Sequence, residues 1–329
     1  MKRRGYVMES VYDMDNLRLA YWKACRGKQG KCEVIAYRRH WQENLTDLSH
    51  LLDRGEIPQV KYHYFKIYDP KERQICATSL HHRILQHALM NICHQDFERF
   101  QTDDSFASRV GRGTYAALSR AISHQRRYRY CLKLDIRKYF DTICHDILIK
   151  QLHRMYKDPK LLNIFRRIID SYEVTAGRGL PIGNLTSQYF ANHYLGVADH
   201  YVREVLHVRA YVRYMDDMLL WDDDPSRLLR IGKAFRDFIA DKLGLEMKIF
   251  SLHPTTQMCT FLGYRISKYT TSLSRHSLKR FQRHLKSMYW KYDECRMTQE
   301  DMCRHLQPVL AFTRHVSSRD QRAAILNRI

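Results

Sequence analysis

One stretch of the chain alternates apolar and polar residues with period two, another is apolar on both sides of a short acidic interruption, and several longer ones repeat apolar residues at helical spacing. From Tyr130 to Ile136, the residues Tyr130, Leu132, Leu134 and Ile136 alternate with Cys131, Lys133 and Asp135, which predicts a strand with Asp135 facing away from Leu132 and Leu134. A second apolar stretch, Arg209 to Trp221, is interrupted by Asp216-Asp217. It reads as a β-hairpin with the carboxylates at its tip, although no Gly eases the turn. A helix is expected from Pro225, capped by Asp224, with Leu228, Leu229, Ile231, Phe235, Phe238 and Ile239 as its buried stripe and Gly244 as its stop. Leu80, Ile84, Leu85, Ala88, Leu89 and Ile92 predict another buried helix, which accounts for His81-His82 and Cys93-His94 without a metal. Near the C-terminal end Leu278, Phe281, Leu285 and Met288 share a helical face, with Lys279, Arg280, Arg283 and Lys286 elsewhere on the cylinder.

Composition adds scale and sign. With 329 residues, 44% of them hydrophobic, the chain can bury a sizeable core and is expected to form two or three structural units. No apolar run approaches the roughly 20 residues of a membrane helix. The basic start, Met1 to Arg4, leads into Glu9, Asp13 and Asp15 rather than an apolar stretch, so no secretory signal is expected and the cytoplasm is the expected location. Nine Cys without a CxxC pair read as free thiols in a reducing compartment. The formal charge of +21 changes the picture more, because a field of this size gathers polyanions. Aromatics set among basic residues, as in Arg126-Arg127-Tyr128-Arg129-Tyr130, can stack on bases while their neighbours hold phosphates. Residues 268–329 carry 13 basic and 5 acidic side chains, a net +8, which suits a duplex and equally suits a solvated helix.

Chemistry concentrates on three carboxylates: Asp135 at one strand end, and Asp216 and Asp217 at a hairpin tip. Clustered negative charge on an apolar β-layer is costly unless cations neutralise it. Two Mg²⁺ ions roughly 3.5–4 Å apart on shared carboxylates suit an in-line displacement at phosphorus, with Mn²⁺ as a substitute.

These residues carry a resemblance. Tyr214-Met215-Asp216-Asp217, after Tyr211-Val212-Arg213, resembles the palm hairpin of reverse transcriptases, and Leu132 to Asp141 resembles their first palm motif. Gly179-Leu180-Pro181-Ile182-Gly183-Asn184-Leu185-Thr186-Ser187-Gln188 lies between them, and Phe261-Leu262-Gly263-Tyr264 is similar to the primer-grip turn. Upstream, Ile67 to Ile75 and Phe106 to Thr114 resemble the two finger motifs, so six motifs in order cover about residues 62–266. Reverse transcriptases usually have Pro-Gln-Gly and then Ser-Pro in the middle motif. The variant here, Pro181-Ile182-Gly183 with Ser187-Gln188, looks like the reverse transcriptases of diversity-generating retroelements, relatives of the group II intron-like enzymes.

The resemblance implies an α+β right-hand polymerase, with fingers and an N-terminal extension over 1–128, a palm with an antiparallel sheet over 129–266 and a small basic helical thumb over 267–329. It implies that Asp135 and Asp216 ligate the metals, that the Ile136 carbonyl completes one site and that Asp217 supports them. Lys66 and Arg73 match triphosphate-cradling positions. Phe140 matches the ring that excludes a 2′-hydroxyl, with Tyr139 as the competitor if the register slips. Ile182, a branched hydrocarbon, replaces a side-chain hydrogen-bonder near the incoming nucleotide, with Gln188 completing the variant motif. Lys248 falls earlier than the family's Lys before the primer grip and receives no role. Implied partners are template RNA, the RNA/cDNA duplex, dNTPs and a small basic accessory protein, in a bacterial or phage-encoded element. An intron-like, retron-like or defence-associated reverse transcriptase, and a catalytically silent nucleic-acid-binding protein, are the alternatives.

Overall fold

A computed structural model describes residues 3–68 and 72–317 of the chain. Residues 69–71 of the first finger motif and the last part of the basic C-terminal region, 318–329, lie outside the described residues. In chain order the elements are helices α1 (Met8–Tyr12), α2 (Met14–Cys25), α3 (Cys32–Arg39) and α4 (Trp41–Asp53), strands β1 (Tyr62–Ile67) and β2 (Arg73–Thr78), helices α5 (Leu80–Phe100) and α6 (Thr114–Arg127), strand β3 (Tyr130–Ile136), helices α7 (Tyr139–Thr142), α8 (His145–Met155), α9 (Pro159–Asp170) and α10 (Leu185–His200), strands β4 (Ala210–Tyr214) and β5 (Asp217–Asp222), helix α11 (Pro225–Leu243), strands β6 (Met247–Pro254), β7 (Cys259–Phe261), β8 (Tyr264–Ile266) and β9 (Thr271–Leu273), and helices α12 (Arg275–Asp293) and α13 (Gln299–Ala311). Helices with antiparallel pairs make this an α+β chain, as expected. Among the described residues no helix is long and apolar enough to cross a membrane.

The chain forms two compact units from interleaved segments. The first comprises Met1–Arg109, Ile136–His207 and Ala234–Lys248; the second comprises Val110–Asp135, Val208–Lys233 and Ile249–Ile329.

In the first unit, α5 is the central helix. Ser79 caps it, and Leu80, Ile84, Leu85, Ala88 and Leu89 are buried as their spacing predicts. Phe97 packs edge-on against Phe165, Tyr189 and His193, which joins α5 to α9 and α10. His82 and Cys93 are buried within this helix, and burial pushes the His82 pKa down to about 4. Away from this core β1 and β2 form a two-stranded ladder with Ile67 opposite Arg73.

In the second unit a sheet of order β4-β5-β3-β6 carries the apolar residues of the two predicted strand regions. Cross-strand partners share a face, so Asp135 with Asp217 and Lys133 with Leu219 lie on one side, and Leu132 with Leu220 on the other. On the Leu132 side α11 approaches closely at Gly232, where an added Cβ would stand 2.6 Å from Leu132 Cδ2. On the other side, at the end remote from Asp135, the Trp221 indole donates to Gln125 of α6 at 2.7 Å. Gln125, fully buried, in turn donates to the Thr255 carbonyl. A smaller sheet, β7-β8-β9, leads into α12, which Ser274 caps and whose Phe281, Leu285 and Met288 are buried.

Candidate active site

The β4–β5 hairpin closes through a two-residue turn, Met215-Asp216, with Tyr214 paired to Asp217. With no Gly available, Met215 adopts a φ of 54°, a left-handed conformation that costs a non-glycine residue about 1 kcal/mol or more. The Arg213 guanidinium, fully buried, donates to the Met215 carbonyl and braces the turn. On the neighbouring strand Asp135 sits directly across from Asp217. The hairpin and β3 thus bring all three acids to one end of the sheet.

Their electrostatics follow from that placement. Burial above all, against the Lys133 ammonium at 3.5 Å and with Asp135 and Asp216 adding their repulsion, raises the Asp217 pKa to about 7. Asp217 Oδ1 is sealed from water and lacks a hydrogen-bond partner. An ionised carboxylate in this position needs more positive charge than Lys133 alone supplies, and a divalent cation among the three acids meets that need with oxygen donors that suit Mg²⁺. The Ile136 side chain is buried, so its backbone carbonyl is the group it has to offer.

Lys133 is a residue that sequence reasoning overlooked. Period two puts it on the Asp135 face, which was the available signal. Its ammonium also donates to the Thr260 carbonyl, linking β3 to the strand before the Leu262-Gly263 turn. That turn has φ of 50° and 85° at its two central residues, with Phe261 and Tyr264 buried on either side. A Cβ on Gly263 would stand 2.7 Å from Ser277 Oγ, so glycine is required there on two counts. Beside Lys133, Cys131 and Cys259 approach each other with His253. The Cys131 thiol first, and then the neighbouring His253 imidazole, hold the Cys259 thiol below its ordinary value, whereas burial holds Cys131 above its own.

The other expected residues belong to the first unit. Arg73 and Lys66 are exposed on the β1–β2 ladder, and Lys66 pairs with Glu72 at 2.6 Å. Ile182 lies over this ladder: its carbonyl accepts from the Cys76 amide at 2.8 Å, and a Cβ on Gly183 would meet Ile75 Cγ2 at 2.8 Å. Gln188, on α10, accepts from Ser108 Oγ of the second finger motif at 3.4 Å. Tyr139 is buried and donates to the Ala191 carbonyl, whereas Phe140 is half-exposed. Tyr139 is therefore a core residue, and the exposed ring is Phe140.

Comparison with known proteins bears on family and fold. Residues 68–266 match the sequence profile described as reverse transcriptase (RNA-dependent DNA polymerase). The chain is 25% identical over 140 residues to an uncharacterised 91 kDa protein in the cob intron of Schizosaccharomyces pombe, covering 41% of this chain and 17% of that protein. It is also 25% identical over 155 residues to protein YkfC of Escherichia coli, covering 42% of this chain and 40% of that one. The chain spans less than half the length of these curated relatives. Among solved structures, telomerase from Candida albicans, in complex with a fragment of telomeric RNA, superposes with a TM-score of 0.51 at 12% identity, over 89% of this chain and 60% of that one. The likeness identifies the α+β architecture as the right-hand polymerase fold. Because the matched profile runs from the residue after β1 through β8, more than half of the chain, and takes in the three acids, the chain belongs to the reverse transcriptase (RNA-dependent DNA polymerase) family.

Proposed function

We propose that this chain is an RNA-directed DNA polymerase of the diversity-generating retroelement type, copying a template RNA into cDNA with errors at adenines. The observation that supports polymerisation most directly is the buried, unsatisfied Asp217 oxygen opposite Asp135 at a sheet end shared with Asp216. Asp135, Asp216 and the Ile136 carbonyl would hold two Mg²⁺ ions, with Asp217 beside them; the ions would supply activation of the primer 3′-oxygen and charge neutralisation at the leaving pyrophosphate. Lys133 limits the repulsion among the acids. Arg73, and with it Lys66, would bind the dNTP triphosphate, where a guanidinium can grip phosphate oxygens in pairs. Phe140 would stack against the sugar and reject a 2′-hydroxyl. Phe261, Leu262, Gly263 and Tyr264 would hold the primer end.

Fidelity is where Ile182 enters. A side chain that neither donates nor accepts forgoes a hydrogen bond worth about 1 kcal/mol, which relaxes selection several-fold without preventing binding. Gln188, anchored to Ser108, accompanies that change. In this reading residues 1–128 are fingers with an extension, 129–266 palm and 267–329 thumb. The template RNA, its cDNA duplex and a small basic accessory protein are the partners, in a bacterial or phage cytoplasm.

Primer extension on an RNA template with Mg²⁺, followed by sequencing, tests the proposal. The expected product carries substitutions concentrated opposite template adenines. Errors spread evenly over the four bases would remove the retroelement assignment and leave the polymerase. That outcome would favour the second reading, an intron-type enzyme, to which the relatedness to a protein in the cob intron lends support. Absence of extension with Mg²⁺ or Mn²⁺ would favour a silent RNA-binding protein.

A further inference from the structure

Cys131 of β3, His253 of β6 and Cys259 of β7 each offer one donor atom, and the three atoms lie within 4.8 Å of one another. Both cysteines are buried and carry free thiols, and His253 Nε2 is shielded from solvent without a hydrogen-bond partner. Two sulfurs and an imidazole are poor ligands for Mg²⁺ and strong ones for Zn²⁺. A tetrahedral zinc with Zn–S bonds of about 2.3 Å sets its sulfurs about 3.8 Å apart, so the cluster needs to close by only about 1 Å.

We propose that Cys131, His253 and Cys259 form a zinc site, with a fourth position for water, that ties β6 and β7 to the strand carrying Asp135. The consequence for the acids runs through Lys133. It stands between Cys131 and Asp135 on the same face of β3, and its ammonium bonds the carbonyl of Thr260, the residue after Cys259. Fixing Cys259 to Cys131 fixes that carbonyl, and with it the ammonium that faces Asp217. Thiolate and imidazole donors keep this centre chemically separate from the carboxylates. Zinc binding displaces the thiol protons to solvent, so no electron transfer is involved.

The test is metal content and spectroscopy on the full chain, purified without chelator. About one zinc per chain is expected after dialysis, and cobalt replacing it should give thiolate-to-metal charge-transfer absorption. Cys259→Ser and Cys131→Ser should lose both signals, and His253→Gln should weaken cobalt binding by about tenfold or more. Asp135→Asn should keep them, because it removes only an oxygen ligand of the other site. If a cysteine variant fails to fold, judged by circular dichroism, the wild-type cobalt spectrum and His253→Gln carry the test. A wild-type chain without zinc or charge-transfer absorption would overturn the proposal. So would a Cys131–Cys259 disulfide in non-reducing mass analysis, or zinc retained by the double Cys variant. None of these readouts depends on polymerisation, so they separate this site from the polymerase reading.

Discussion

The β1–β2 ladder and the β3–β5 pair are both antiparallel and similar in length, yet they hold their side chains in opposite ways. In the ladder most of β1 is exposed, including Tyr64 and Phe65, and the two cations stand in solvent. In the β3–β5 pair, Met218 to Trp221 and Leu132 are inaccessible, and the acids emerge only where the packing ends. Packing therefore decides where Asp135 and Asp217 point before any ligand arrives, whereas Arg73 is exposed and Lys66 is held only by exposed Glu72, so in the proposed reading a bound triphosphate would order them. Preorganised charge serves chemistry, and mobile charge serves capture.

The largest expected effect falls on the packed pair. Asp216→Ala should lower primer extension by about a thousandfold or more while RNA binding, measured by filter retention, changes little; a folded variant with normal extension would break the contrast. Next is Gly232→Ala, beneath β3. The new methyl meets Leu132 and Phe250 at 2.6 and 2.7 Å, and overpacking of about 1–3 kcal/mol outweighs a helix-propensity gain of about 1 kcal/mol, so denaturant titration should show a net loss. On the ladder, Arg73→Ala should raise the KM for dNTP about tenfold with stability unchanged within about 0.5 kcal/mol. Lys66→Ala should do less, since Glu72 already occupies that ammonium.

The smallest effect is a contrast in pH dependence of the metal-free protein. His82, in the unit that holds the ladder, has a folded pKa of about 4 against an ordinary 6.5. The unfolded chain binds the extra proton, so its contribution is full above 6.5 and is lost as pH falls towards 4. Asp217 runs the other way: with a folded pKa of about 7 against an ordinary 3.8, its contribution is full below 3.8 and is lost as pH rises through 7. Melting curves across pH 4–7 should therefore steepen in acid sensitivity for Asp217→Asn and flatten for His82→Gln. Saturating Mg²⁺ should suppress the Asp217 contribution.

Much of this was legible because it is local. Alternation located β3 to the residue, and the apolar arms around Asp216-Asp217 located the hairpin even though Met215 had to take a left-handed conformation in place of a glycine. Pro225 and Gly244 bracketed α11, and the stripe of α12 is buried except for half-exposed Leu278. What the pattern did not show is what distant segments do to one another. Lys133 reads as an ordinary polar strand position until β5 places Asp217 beside it. Cys131, His253 and Cys259 have no motif spacing, because three strands rather than a loop assemble them. Arg213, a charged residue on an edge strand, is fully buried and bonds the carbonyl of its own turn.

Gln125 has a mechanical consequence. By bonding both Trp221, at 2.7 Å, and the Thr255 carbonyl it clamps one end of the β3–β5 pair, while at the opposite end the turn between the acids is held by the longer 3.3 Å bond from Arg213 to the Met215 carbonyl. The pair then behaves as a cantilever, stiff at its root and compliant at its tip. Amide hydrogen exchange should slow progressively from Asp217 towards Trp221, and small bending of the free end would let the acids adjust their spacing while the rest of the sheet stays still.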